Sequence, residues 1–279
     1  MADTTRPGHW GHGTLGWQGV PRLRDAGYGV RVLSRPSHKG AESIKVGGEG
    51  IEVVTGDLAT GEGVDAAVAG SEVIVHLAGT PKGDEHKAGQ LVRAASQAGT
   101  RHLVFISVVG ADQIPVTSAV DRAMFGYFAS KRAAEHQIAG SGLPWTTLRA
   151  TQFHDLTLLT VRQLARLPVV PVPAGWRVQP IDPGEVADRL VELALGPPAG
   201  LVPEVGGPRV YALAALVGGY LRATGKHRPI LPLRLPGRAN RAFRAGANLA
   251  PERAVGRRTW EEFLAARVSA PTPSRSGSA

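Results

Sequence analysis

The sequence predicts an α/β fold: a doubly wound parallel sheet with a small lobe at its C-terminal side. Three observations point to it. Near-continuous apolar, β-branched runs recur through the first half, as expected of strands buried on both faces. They fall at residues 30–34, 51–55, 73–77, 103–107 and 145–148. Amphipathic stretches of helical period lie between them, among them residues 85–98 and 128–139. The residues of chemical interest gather where strands end, at Arg35, Asp57, Ala78, Gly79 and Ser107. Ligands of open parallel sheets sit at those carboxyl ends.

The first thirty-five residues carry half of a nucleotide-binding pattern. Gly11-His12-Gly13-Thr14-Leu15-Gly16 reads as the end of a glycine-rich phosphate loop. A helical stretch to Ala26 and the strand-like Val30-Arg31-Val32-Leu33-Ser34, closed by Arg35, follow it. That order is the second half of a Rossmann βαβ unit. The strand that should come first reads Thr5-Arg6-Pro7-Gly8-His9-Trp10. Pro lacks a ladder donor and Gly has nothing to pack, so the expectation is that the central first strand is missing. Trp10 also stands where the first loop glycine is needed, and an indole there would keep the backbone from a pyrophosphate. The codons of residues 6–12, read one base later, permit Val-Leu-Val-Thr-Gly-Ala-Thr, an apolar strand running into a glycine loop. This predicts a frame slip in the gene; nucleotides that forbid that peptide would refute it.

After Ala150 prolines multiply and elements shorten. The expected organisation is a Rossmann-like core over residues 1–150, sheet completion and a small substrate lobe over 151–268, and a disordered Pro/Ser/Gly-rich tail over 269–279. No internal repeat is evident.

Composition narrows the function classes. With 279 residues and 43% hydrophobic content, a sizeable core is available. No apolar run approaches the ~20 residues that span a bilayer, and no apolar leader opens the chain. Absence of cysteine excludes disulfides, thiol nucleophiles and Cys-bound metal. A cytoplasmic protein is expected. The formal charge of +9 is concentrated. Nine Lys/Arg face one acid, Glu252, across residues 226–258. Arg238, Arg241 and Arg244 follow at helical spacing without interleaved aromatics, which fits a solvated face better than a nucleic-acid site. No metal is expected, since His9 and His12 have no convincing further ligand, and His76 inside an apolar strand reads as a core residue.

The strongest catalytic pattern is Tyr127-Phe128-Ala129-Ser130-Lys131, one strand–helix step after Ser107. Tyr and Lys four apart share a helical face. An ammonium beside a phenol stabilises the phenolate, and a strand-end hydroxyl can hold a carbonyl oxygen against it. The set suits proton transfer to or from an alcohol or carbonyl while a hydride moves at the adjoining carbon. The competing reading packs Tyr127 with Phe125 and Phe128 and leaves Lys131 in solvent.

Gly13-Thr14-Leu15-Gly16, Val32-Leu33-Ser34-Arg35, Gly56-Asp57-Leu58, His76-Leu77-Ala78 and Leu148-Arg149-Ala150-Thr151-Gln152-Phe153, in that order, resemble the NmrA-like, NAD(P)H-binding group of atypical short-chain dehydrogenase/reductases. The resemblance runs from about Gly11 to Phe263. It implies that Gly11, Gly13, Thr14, Leu15 and Gly16 lie at the pyrophosphate and that Arg35 meets the adenosine 2′-phosphate, so that NADP is favoured over NAD. It places Asp57 and Leu58 beside the adenine, and Ala78 and Gly79 under the nicotinamide-side ribose. Tyr127 and Lys131 match the catalytic pair, with Lys131 also near the cofactor, and Ser107 matches the hydroxyl position. Substrate contacts are expected from Thr151, Gln152, Phe153, His154 and Trp176, which follow strand ends in the variable half. The first functional expectation is an NADP(H)-dependent oxidoreductase acting on a small carbonyl, enone or alcohol. The alternatives are a non-catalytic NAD(P)H sensor, or a cofactor-independent isomerase or cyclase that reuses Tyr127. The partners expected are a small-molecule substrate only, with no nucleic acid and no membrane.

Overall fold

The structure is a computed structural model that describes residues 8–11, 14–35, 51–77, 79 and 83–268. The main-sheet strands are β1 (Gly8–Gly11), β2 (Val30–Ser34), β3 (Ile51–Thr55), β4 (Val73–His76), β5 (His102–Val108) and β6 (Trp145–Ala150). Two lobe strands follow, β7 (Val170–Pro173) and β8 (Arg177–Val178), before β9 (Gly200–Leu201) returns to the main sheet. β10 (Tyr211–Ala212) and β11 (Ile230–Leu233) complete the set. The main sheet runs β3-β2-β1-β4-β5-β6-β9, and each neighbouring pair is parallel. The chain therefore reverses its direction of travel between β1 and β4, which opens a crevice at their carboxyl ends.

The expectation of a missing first strand is corrected. Gly8–Gly11 forms β1 and pairs with both neighbours, in registers Gly8↔Val30 and Gly8↔Val73. A ladder is made of backbone groups, and Gly, His and Trp each keep an N–H. Pro7 precedes the strand instead of interrupting it.

Nine helices are described: α1 (Thr14–Asp25), α2 (Val64–Val68), α3 (Asp84–Gln97), α4 (Ala119–Ala139), α5 (His154–Leu164), α6 (Pro183–Leu195), α7 (Leu213–Ala223), α8 (Arg238–Ala245) and α9 (Trp260–Val268). Alternate residues of one strand feed opposite layers, as the two-residue period requires. Val104 and Ile106 pack with α1 and α6 through Leu15, Leu23, Val186 and Leu190. Leu103 and Phe105 pack with α2, α3 and α4 through Val64, Leu91, Ala134 and Ile138. Every residue of β5 is buried. A third core, containing Phe125, Val170, Leu216, Phe243 and Trp260, holds the lobe together over the sheet's carboxyl edge.

α4 starts well before the expected residue 128. Ser118 Oγ accepts from Asp121 N at 3.0 Å, and Asp121 Oδ2 accepts from Ser118 N at 3.1 Å. This reciprocal capping box fixes the helix start. The extra turns carry Met124 and Phe125 into the lobe. The basic face is as expected: Arg238, Arg241 and Arg244 are exposed on α8 while Ala239, Asn240 and Phe243 are buried. The 269–279 tail lies outside the described residues.

Candidate active site

A cleft of about 480 Å³ opens at the carboxyl edge of the sheet. It runs from Leu15 and Gly16, in the first turn of α1, past Gly79 to the lobe residues Trp176 and Phe243. β5 contributes Ser107, α4 contributes Tyr127 and Lys131, and the segment after β6 contributes Thr151, Gln152 and Phe153. Residues separated by more than two hundred positions thus share one cavity.

Tyr127 and Lys131 both line it, one helical turn apart on α4. The Lys131 side chain is buried; Nζ donates to Ile106 O at 3.1 Å and lies 3.3 Å from Asp84 Oδ2. It also sits 4.7 Å from the centre of the Phe105 ring and 5.8 Å from that of Tyr127. Burial pushes the Lys131 pKa down, and the Asp84 carboxylate works against that. The expectation that Lys131 lowers the Tyr127 pKa is not met in this arrangement. Burial, aided by the negative charge of Asp84, pushes the phenol above its ordinary value. The phenol, already protonated at neutral pH at its ordinary pKa, is thereby made harder to ionise.

Asp84 has no counterpart among the expected site residues. It is fully buried at the start of α3. Its backbone N–H donates to Ser130 Oγ at 3.0 Å, and Ser130 Oγ donates to Glu85 Oε2 at 3.0 Å. The adjacent Ser130 and Lys131 of α4 thus dock onto the adjacent Asp84 and Glu85 of α3. The sequence signal was present, since an acidic pair opens a helix whose neighbour carries the lysine.

Ser107 lines the cleft, yet its hydroxyl sits beside Glu135, one turn beyond Lys131 on α4. Burial alone would raise the Glu135 carboxyl, but hydrogen bonds from Arg149 and Arg132 hold it below its usual value; the buried Ser107 hydroxyl lies near it without a hydrogen-bond partner. Arg149 grips Glu135 bidentately, with Nε–Oε1 and Nη2–Oε2 both 2.8 Å, and reaches Asp112 Oδ1 at 2.9 Å.

For the remaining expected residues the outcomes differ. Gln152 is half-buried and both polar atoms of its amide are buried without a hydrogen-bond partner. Trp176 stacks on Phe243 at 4.4 Å and donates its indole N–H to Asn240 Oδ1 at 2.7 Å. Thr151 Oγ1 accepts from Gly207 N at 3.3 Å. His154 is a correction. It does not line the cleft but is fully buried beneath it, stacked 4.8 Å from Phe263 of α9. The chain turns into α5 there, so successive side chains after β6 point to different sides. Burial lowers its pKa to about 4. His76 is a core residue, stacked 5.3 Å from Phe105.

On the cofactor side, Gly11 ends β1, Thr14 begins α1, and Arg35 stands exposed just after β2. Asp57 follows β3; its Oδ1 accepts from Ala59 N at 2.8 Å, so it closes a turn and caps no helix. Leu58 is buried in the layer under α2. Gly13, Ala78 and the side chains of Trp10 and Thr14 lie outside the described residues. The surroundings suit a dinucleotide. Gly79 is exposed in the cleft, and a Cβ there would come 3.2 Å from Lys131 Nζ. The first turn of α1 offers unpaired N–H groups to a phosphate. Among the described residues no group of acids and histidines could hold a metal, and no helix is long and apolar enough to cross a membrane.

Comparison with known proteins agrees with this geometry. The pattern of the NAD(P)H-binding family matches residues 11–175. A (4-alkanoyl-5-oxo-2,5-dihydrofuran-3-yl)methyl phosphate reductase of Streptomyces griseus is 29% identical over 185 residues, 66% of this chain and 61% of the relative. A ceramide reductase of Caulobacter vibrioides is 32% identical over 206 residues, 68% of this chain and 61% of the relative. The chain thus matches 61% of the length of each of these curated relatives. Among solved structures, an NADPH-dependent quinone oxidoreductase of Escherichia coli in complex with NADPH superposes with a TM-score of 0.75 at 17% identity, covering 94% of this chain and 99% of that one. That likeness establishes the Rossmann-like fold. With its family pattern spanning more than half of its residues, the chain belongs to the NAD(P)H-binding family.

Proposed function

We propose that this protein is an NADP(H)-dependent reductase of a carbonyl or enone compound. The observation that carries the reading is the single cleft in which Tyr127, beside Lys131, faces both the phosphate-binding turn of α1 and an aromatic lobe. Two relatives whose names denote reductases support it. A nicotinamide dinucleotide, when bound, supplies the hydride.

The chain's own residues do the rest. Leu15 and Gly16 present the start of α1 to the pyrophosphate, and Gly79 leaves room for the ribose beside Lys131. Arg35, exposed at the end of β2, pairs with a 2′-phosphate; an acid there would instead have engaged the ribose hydroxyls of NAD. Tyr127 gives its Oη proton to the carbonyl oxygen. Gln152 and the Trp176–Phe243 wall orient the substrate. The lobe keeps water from the reacting carbon.

General acid catalysis contributes about 10²–10⁴-fold, so Tyr127→Phe is expected to lose turnover of NADPH with a carbonyl panel by that factor while still binding NADPH. Full turnover by the variant would remove Tyr127 from the reaction. NADPH binding without turnover of any carbonyl or enone by the unaltered protein would favour a sensor.

A further inference from the structure

The substrate end of the cleft has a chemical character of its own. Among its described lining residues Lys131 is the one charged side chain, and Asp84 stands 3.3 Å from it. Among the described residues no arginine or second lysine lines the cavity. The walls are Phe125, Phe128, Trp176 and Phe243, packed ring to ring at 4.4–6.4 Å. Into this apolar space projects one amide, Gln152, whose Oε1 and Nε2 are both buried and unpartnered. An unsatisfied buried amide is costly, and a ligand carrying both a donor and an acceptor would satisfy it.

The mouth is apolar as well. Met124 of α4 and Leu156 of α5 line the cleft and are still 42% and 50% exposed. One turn further along each helix, Val120 and Leu159 are 61% and 53% exposed. Residues three and four apart share a helix face, so the four continue the cavity outward as an apolar lip. Exposed apolar patches continuous with a pocket mark ligand surfaces.

We infer, on the reading of the cleft as a carbonyl reductase site, that its substrate is an uncharged carbonyl compound bearing a flexible apolar chain. Gln152 hydrogen-bonds the polar head, and the chain leaves between Met124 and Leu156. A phosphorylated substrate is disfavoured, because the one cation among the described lining residues, Lys131, already lies 3.3 Å from the Asp84 carboxylate and a second anion would be desolvated with little charge left to meet it.

The test is a binding series read by tryptophan fluorescence, since Trp176 lines the cavity. Straight-chain methyl ketones from butanone upward are titrated with and without saturating NADPH, alongside a phosphate-bearing ketone of equal length. Affinity is expected to rise about two- to fourfold per added methylene, the range for partly to wholly buried CH₂ groups, and the phosphorylated compound to bind at least tenfold more weakly than its uncharged counterpart. Leu156→Glu and Met124→Glu, both on partly exposed positions, should flatten the later part of the rise, so that the longest ketones lose more affinity than butanone. Gln152→Leu should weaken a hydroxyketone more than the simple ketone of equal length. A flat series, equal binding of the phosphorylated compound, or a slope untouched by both lip variants would overturn the inference. A change in sedimentation of the lip variants with the slope intact would also overturn it, and assign the lip to a second copy of the chain. Failure to bind NADPH would count against the proposed function alone, because the nucleotide-free series still reads the cavity.

Discussion

Lys131 and Glu135 stand one turn apart on α4, and they enter two buried charge clusters built on opposite plans. The Arg149–Glu135–Asp112 cluster is a bidentate grip between β6 and α4, with the guanidinium hydrogen-bonded to two carboxylates. It lines no part of the cleft. Its bonds strengthen both partners, raising the Arg149 pKa and holding Glu135 low despite burial. The Lys131–Asp84 cluster is looser. A compact ammonium contacts the Ile106 carbonyl and the Asp84 carboxylate among others, its pKa is lowered by burial, and it borders the cavity beside Tyr127. A rigid fork suits a permanent joint; a point charge with rotatable donors suits a group that shares its protons with an incoming ligand. The first cluster pins β6 to α4, and the second is the one with chemistry to do.

The contrast can be broken in three ways. The largest effect is expected from Arg149→Leu, which leaves the buried Glu135 carboxylate with the half-exposed Arg132, 3.1 Å away, in place of the bidentate grip. Loss of about 3–5 kcal/mol is expected, read by denaturant unfolding; a loss under half of that would deny the cluster its joining role. The second uses His154, a buried basic group that stays neutral. Its pKa is lowered from 6.5 to about 4 by burial. The unfolded chain therefore binds the proton first, so stability falls as pH drops from about 6.5 to about 4. The full shift corresponds to about 3 kcal/mol. His154→Phe keeps the stack on Phe263 and should remove that share of the pH dependence; an unchanged pH profile would place the acid sensitivity elsewhere. The smallest effect is Asp84→Asn. Removing the negative charge withdraws one cause that raises the Tyr127 pKa and the main one that raises the Lys131 pKa. The alkaline limb of the reductase pH profile should move to lower pH. A limb that stayed in place would separate Asp84 from the proton donor.

Much of the sheet was legible because its signal is local: runs such as Leu103-Val104-Phe105-Ile106-Ser107 can only be strands buried on both faces. Tyr127 and Lys131 were legible as a spacing. The failures have definite causes. β1 was discounted on side-chain preference, whereas its place is set by backbone pairing to β2 and β4. The start of α4 was missed because a capping box is a two-residue signal outside the apolar period. Asp84 was missed because its partner is forty-seven positions away in sequence and adjacent only when α3 packs on α4. His154 was grouped with Gln152 because neighbours in sequence diverge once a strand turns into a helix. The aromatic wall was legible only in pieces, Trp176 as a substrate contact and Phe125 with Phe128 as packing, since these rings meet Phe243 only in the folded lobe.

The account rests on a phosphate-bearing nicotinamide nucleotide entering the crevice between β1 and β4. Its most direct test is a fluorescence titration with NADPH and NADH of three proteins: the chain as it stands, Arg35→Asp, and a variant in which residues 6–12 read Val-Leu-Val-Thr-Gly-Ala-Thr. NADPH is expected to bind more tightly than NADH, Arg35→Asp to reverse or erase that order, and the glycine-loop variant to bind both more tightly than the chain as it stands. Absence of binding by either nucleotide to all three proteins would contradict the account.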